Sequence, residues 1–375
     1  MLGCWIGDLA RALDRAVPAQ PCVSRALSAR RLSEAATAPK FPEVPARRRT
    51  QSETPSLKLY YADHFVLPLP EGHRFPMEKY SRLRARLLEC GVFADDDFSV
   101  PAAASDTEIL RAHDAGYLQR VASGTLDAAE VRRIGFPWTD AMVERSRRSA
   151  GATLAACRSA LARDGGSACA ANLAGGTHHA HRDFGSGFCV FNDAAIAALA
   201  MRAEERVRRV AIIDCDVHQG DGTAAILAGE KDIFTCSLHG AKNFPFRKQI
   251  SDLDVELPDD TADEAYLGAL DRALDTVFER ARPELVIYLA GADPYAGDRL
   301  GRLGLSIAGL LARDQRVLEA CRSSGVPVAV AMAGGYAQPI DDTVTIHFNT
   351  VTTAARIMAP VKSAQATDAH KAPSR

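Results

Sequence analysis

Several things are missing from this chain, and each absence narrows what it does. No run of about 18 consecutive apolar residues occurs, so no segment reads as a membrane-spanning helix. The nine cysteines are odd in number, widely spaced and contain no Cys-x-x-Cys pair, which argues against a disulfide framework or a four-cysteine metal site and for a reducing compartment. Cys215 and Cys236 sit inside apolar runs and read as small buried thiols. A cationic excess is also lacking. Forty-five Lys and Arg stand against 47 Asp and Glu, a net of -2, so direct nucleic-acid binding is not expected. What remains, 47% hydrophobic and 25% charged over 375 residues, is the composition of a globular protein.

The small net charge conceals an uneven distribution. Residues 1–50 carry nine basic and four acidic side chains, a net of +5, which leaves a net of -7 for the remainder. Residues 1–56 are rich in Arg, Ala, Ser and Pro and poor in acids, as organelle transit peptides are, and no apolar core of a secretory signal follows the start. The expectation is a leader directing the chain to a mitochondrion or plastid. The competing reading is a disordered basic tail on a cytoplasmic or nuclear protein, and Asp8 and Asp14 count in its favour. Residues 57–360 read as one catalytic domain, and 361–375 as a polar, flexible tail.

Within that domain, apolar runs with strand character fall at Leu57–Tyr61, Ala168–Leu173, Val210–Val217, Ile233–Leu238, Leu285–Ala290 and Val326–Met332. Between them lie helix-length stretches with apolar residues three to four apart, among them Thr139–Arg163, Asp193–Glu205, Ala262–Arg282 and Ser306–Ser323. Almost wholly apolar strands alternating with helices predict an α/β fold: one doubly wound, mainly parallel sheet with helices on both faces. Ligands of such sheets bind beyond the carboxyl ends of the strands, so site residues should follow the strand runs.

Four segments meet that condition. Gly175-Gly176-Thr177-His178-His179 follows one run, Asp214-Cys215-Asp216-Val217-His218 closes another, and Asp293 and Gly334-Gly335-Tyr336 follow two more. Asp216, His218 and Asp293 offer one imidazole and two carboxylates, a donor set suited to zinc or ferrous iron. In a strand, residues i and i+2 point to the same face, so Asp216 and His218 are expected to reach one ion. Three protein ligands leave a position open, the catalytic pattern; the bland alternative for the acids is helix capping. Asp214 and Asp221 remain as carboxylates able to orient an imidazole, and Tyr336 can offer a phenol O–H to a developing oxyanion. Together these are the parts of metal-assisted hydrolysis of an amide or ester.

These residues, with His73-Arg74-Phe75-Pro76-Met77, His113–Leu118, Gly187–Asp193, Ser237-Leu238-His239 and Ala290–Asp298, resemble the zinc-dependent histone deacetylase superfamily over roughly Leu59 to Met358. The likeness is greater to its bacterial and class-IV-like branch, which includes acetylpolyamine amidohydrolases and acetoin-utilisation proteins, than to nuclear class I enzymes. The resemblance implies an arginase/deacetylase-like fold and one zinc on Asp216, His218 and Asp293. His179 would be general base and then acid, His178 an electrostatic support, Asp221 and Asp214 their respective partners, and Tyr336 the oxyanion donor. Gly187 would accept a hydrogen bond from substrate, and Phe188 would wall an acyl-lysine tunnel whose opposite wall is Phe244 or Phe246. Asp214, Ser237 and Leu238 would hold a structural potassium ion, with backbone oxygens of Asp216 and His218. Arg74 matches an arginine lining the cavity behind the metal. The expected substrate is an acyl-lysine protein or a small acyl-amine.

Departures from the family pattern are Thr177 before the histidine pair and Gln219 after His218, neither of which removes a ligand. No counterpart is found of the rim aspartate that grips a peptide backbone in class I enzymes, which argues against histone tails as substrate. Two other readings stand beside the deacylase. A two-manganese ureohydrolase would need a second cluster of ligands, which is not evident. A binding protein that has lost activity should lack a ligand or the tyrosine, and neither is missing.

Overall fold

The structure is a computed structural model that describes residues 56–164 and 166–359. The expected leader and tail lie outside the described residues. Among those residues, eight strands form one sheet: β1 (Ser56–Tyr60), β2 (Phe98–Ser99), β3 (Gly166–Asn172), β4 (Val210–Asp214), β5 (Ile233–Gly240), β6 (Leu253–Leu257), β7 (Leu285–Leu289) and β8 (Val328–Ala331). Their order is β2-β1-β3-β8-β7-β4-β5-β6 and every pairing is parallel. The central strands Val-Ala-Ile-Ile-Asp and Leu-Val-Ile-Tyr-Leu are buried at every position, as a sheet covered on both faces requires.

Helices complete the two layers. Asp140–Ala162 and Asp193–Ala203 pack on one face, where Leu154, Ala194 and Ala198 meet Ile212 and Ile287. Asp263–Ala281, Ile307–Ser323 and Ile340–Ile357 cover the other, where Leu270, Val317 and Val351 meet Ile213 and Tyr288. The doubly wound parallel sheet anticipated from the strand–helix alternation is therefore present. Two edge strands were not anticipated. β2 has two residues, and β6 carries Asp254 and Glu256 on a partly exposed edge, so neither gives an apolar run. No described helix is long and apolar enough to cross a membrane.

One strand ends early. The Val210–Val217 run leaves the sheet at Asp214, because the chain bends on its own side chains. Asp214 Oδ1 accepts the Asp216 N–H at 3.1 Å, and Asp216 Oδ1 accepts the His218 N–H at 3.0 Å. Asp216 and His218 thus sit on a bend held by aspartate–backbone bonds, and the alternation of strand side chains does not account for their convergence.

Candidate active site

The loops leaving β3, β4, β7 and β8 meet over the strand ends, around a cavity of about 620 Å³. The loop after β3 is held by Asp193, whose Oδ1 accepts the Thr177 N–H at 2.7 Å and whose Oδ2 accepts the Gly176 N–H at 3.0 Å. Asn192 caps the helix Asp193–Ala203 by accepting the Ala195 N–H, and its amide donates to the His178 and Ala180 carbonyls. The backbone that carries the histidine pair is thereby fixed from the start of one helix. Thr177 contributes to this support, its hydroxyl lying 2.7 Å from Asp193 Oδ1. Gln219 ties its own loop to β6 and to the Gln249 backbone. The two departures from the family pattern are built into loop anchorage.

His178 Nδ1 lies 2.7 Å from Asp214 Oδ2, and His179 Nδ1 lies 2.6 Å from Asp221 Oδ1. Asp221 also meets His181 Nε2 at 3.0 Å. Burial opposes ionisation of Asp221, but the hydrogen bonds from His179 and His181 outweigh it and hold this carboxyl below its usual range. An ionised Asp221 only accepts, so His179 carries its proton on Nδ1 and keeps Nε2 as a basic atom. The two imidazoles differ in charge. Burial and then the neighbouring His178 push His179 down to about 4. Burial also opposes the charge on His178, but Asp214 and Asp216 overcome it and raise this imidazole to about 9. The surroundings thus favour the neutral form of His179 and the cationic form of His178, whose ring centroids lie 4.2 Å apart.

Beside them lie Asp216, His218 and Asp293, all buried, with one potential ligand atom from each within 4.8 Å of the others. Asp293 Oδ1 accepts the Val217 N–H at 2.9 Å, while Asp293 Oδ2 is buried without a well-aligned hydrogen bond and lies 3.3 Å from His218 Nδ1. Asp216 Oδ2 accepts the Gly334 N–H at 2.8 Å. Burial, then the charge on Asp216, raise the Asp293 carboxyl to about 7, as two carboxylates crowded together without a cation would be. An orphaned buried oxygen and a strained carboxylate pair beside an imidazole fit a divalent cation. Gly334 permits this approach: a Cβ there would lie 1.9 Å from Asp293 Oδ2 and 2.6 Å from Asp216 Oδ2.

Next to the Asp216-His218-Asp293 set lies Arg313, wholly buried on the helix Ile307–Ser323. It donates to the Gly291 carbonyl at 2.5 Å and the Cys215 carbonyl at 3.2 Å, so one guanidinium joins the loops that carry Asp293 and Asp216. Asp314 balances its charge at 2.8 Å and also receives the Tyr288 and Thr350 hydroxyls.

Tyr336 lines the same cavity, and burial raises its phenol well above the ordinary value, so it remains a neutral donor. Its backbone is fixed by Asp298, whose Oδ2 accepts the Tyr336 N–H at 2.5 Å, and by Arg299, whose Nε donates to the Tyr336 carbonyl at 3.0 Å. Lys79, buried, donates to the Ala333 and Gly335 carbonyls from below. Phe188 holds a strained φ of +66° and packs on Phe75, Phe136 and Tyr336, at centroid distances of 5.3, 5.3 and 6.1 Å. Gly187, at φ +53°, leaves room for the His179 ring, which a Cβ would approach to 2.7 Å. Of the two phenylalanines considered for the facing wall, Phe244 lies 4.9 Å from the His179 ring, whereas Phe246 is 87% exposed at the mouth.

Arg74 lines the same cavity. It is exposed, and its carbonyl accepts a bond from Arg299; the buried arginine of the cavity wall is Arg145. Ser237 is the register partner of Asp214, and its hydroxyl is engaged by His239 Nδ1 at 3.0 Å. Sequence reasoning did not assign roles to His181, Asn192, Asp193, Asp298, Arg299 or Lys79. Asp298 had a detectable signal, an acid five residues beyond Asp293 in a Gly-rich turn; Lys79 had none, since a lysine near a helix start ordinarily faces solvent.

An all-parallel sheet with paired His–Asp dyads and an Asp-His-Asp set at its strand ends defines the class as α/β hydrolytic enzymes of the deacetylase and amidohydrolase type. Residues 73–351 match the model of the histone deacetylase domain, and the chain belongs to the histone deacetylase family. It is 42% identical over 289 residues to an uncharacterised protein of Picosynechococcus, covering 77% of this chain and 95% of that one. It is 33% identical over 285 residues to a histone deacetylase-like amidohydrolase of Pseudomonas aeruginosa, covering 72% and 74%. Its fold superposes on an acetylpolyamine aminohydrolase from Burkholderia pseudomallei with a TM-score of 0.67 at 22% identity, covering 80% of this chain and 99% of that one.

Proposed function

We propose that this protein is a zinc-dependent deacylase that hydrolyses the amide of an N6-acyl-lysine side chain, acetyl or longer, in proteins. The observation that carries the reading is the pair of buried imidazoles, each tied through Nδ1 to its own carboxylate, beside a three-ligand set. Zinc held by Asp216, His218 and Asp293 would supply Lewis-acid polarisation of the acyl carbonyl and a lowered pKa for water. His179 Nε2 takes the proton of the attacking water and returns it to the leaving amine. Asp221 holds the tautomer that makes this feasible. His178, cationic beside it, supports the negative charge that develops on the acyl oxygen, and the Tyr336 O–H donates to that oxygen. Phe188 and Phe244 flank the acyl-lysine methylenes, and Gly187 offers its carbonyl to the amide N–H. A structural potassium ion at Asp214, Ser237 and the Leu238 carbonyl belongs to the same proposal, as does a leader that delivers the chain to an organelle.

The test is a screen of zinc-loaded protein against acyl-lysine peptides of increasing acyl length and against acylated polyamines, with chelated protein as control. Turnover of acyl-lysine peptides that chelation abolishes is the expected result. Turnover confined to polyamines moves the assignment to small acyl-amines. No turnover of either by fully loaded protein refutes the deacylase reading.

A further inference from the structure

The cavity mouth carries charge that the proposed chemistry does not use. Arg74, Arg132, Arg133, Lys242 and Arg302 all line the cavity and are exposed, while Asp216, in the metal set, is the one acidic side chain of its wall among the described residues. Arg302 and Lys242 share a single carboxylate, Asp259, at 2.9 and 3.6 Å. Arg74 and Arg132 form no ion pair within the described residues, and the Arg133 guanidinium lies 4.6 Å over the Phe184 ring. Asp127 is near enough to feel Arg132 and Arg133, but its carboxylate is committed to the Ala129 and Glu130 N–H groups at a helix start. The rim therefore keeps a surplus of guanidinium groups facing whatever carries the acyl-lysine.

We propose that this rim selects acyl-lysines embedded in an acidic segment, with Asp or Glu within a few residues on either side. The inference rests on the deacylase reading and names its substrate class. A guanidinium presents a planar fork that takes a carboxylate bidentately, and one left unpaired at the rim has that capacity free. Several like charges around a mouth walled by aromatic rings also focus the field outward and steer an anionic segment towards it. The same field opposes a polyamine chain or a lysine-rich tail, which would bring cations against cations. Among the described residues no aspartate lines the rim, which agrees with a mouth that meets carboxylates.

The experiment uses two peptides that share a central N6-acetyl-lysine and differ only in flanks, one bearing Asp and Glu, the other Lys. At low salt the acidic peptide should be hydrolysed with a kcat/KM about tenfold higher. The ratio should fall towards unity near 0.5 M salt, where exposed charges are screened within about 5 Å. In an Arg74→Glu/Arg132→Glu variant the ratio, read within that variant, should drop to parity or invert. Equal or faster hydrolysis of the basic peptide by the unaltered protein at low salt overturns the inference. If zinc-loaded protein hydrolyses neither peptide, the deacylase reading fails, and fluorescence anisotropy of the labelled pair still decides the rim: tighter binding of the acidic peptide supports it, and equal binding overturns it.

Discussion

Replacing Tyr336 by Phe removes one O–H and almost nothing else. The ring keeps its contacts with Phe75 and Phe188, and the backbone keeps its bonds to Asp298 and Arg299. The phenol is buried and neutral, so the deletion creates neither an unpaired charge nor a cavity larger than an oxygen atom. Its effect should therefore fall on the transition state. A single donor aimed at a developing oxyanion contributes about 3–4 kcal/mol, so kcat should fall about 100- to 1,000-fold with KM little changed. Steady-state kinetics on an acetyl-lysine peptide, with zinc content and melting temperature measured on the same sample, would show this. A loss under about threefold, or one that appears wholly in KM with zinc retained, would refute the assignment of Tyr336 as oxyanion donor.

Three further outcomes are expected. His179→Ala should reduce kcat more than His178→Ala, because one loses a proton carrier and the other an electrostatic support; equal losses would contradict that division. Gly334→Ala should weaken zinc retention in a chelator competition, because its Cβ would have to displace the Asp293 carboxylate; unaltered retention would show that the loop has slack. Because His178 is raised in the folded state from 6.5 to about 9, metal-free protein should exceed His178→Asn in stability by a margin that is full below pH 6.5 and vanishes as pH rises through 9. Urea denaturation across that range tests the sign, and a margin that widens with pH would invalidate it.

The sheet and the position of the site were legible because apolar strand runs, glycine turns and acids at strand ends are all local patterns. His178, Asp216 and Asp293 could be picked out in this way although they lie far apart in the chain. The reason given for Asp216 and His218 was not the one the structure shows: local aspartate–backbone bonds end β4 at Asp214, and no apolar pattern reveals that. The exposure of Arg74 at the cavity was not legible, because a short motif gives its neighbours and says nothing about which way its side chain points. Asp193, Asp298 and Lys79 were missed for a related cause. Each acts by holding a loop elsewhere in the chain, Lys79 from 256 residues away, and such pairings have no period to detect, although the acid at Asp298 did offer a local signal in its Gly-rich turn.

The guanidinium of Arg313 bears on how an ion would come and go. The loops carrying Asp216 and Asp293 are joined from behind by a charge that is wholly buried. Separating them would strip the buried guanidinium of those carbonyl acceptors while Asp314 still balances its charge, at a cost of about 1–3 kcal/mol for each donor left unpaired. That cost holds the two loops together from behind, so an ion would exchange through the cavity in front, walled by Phe188, Phe244 and Tyr336. If the acyl-lysine enters by that cavity, as proposed above, ion loss and substrate occupancy would compete for one corridor. A seated acyl-lysine would act as a stopper, so metal would leak fastest from enzyme that is idle.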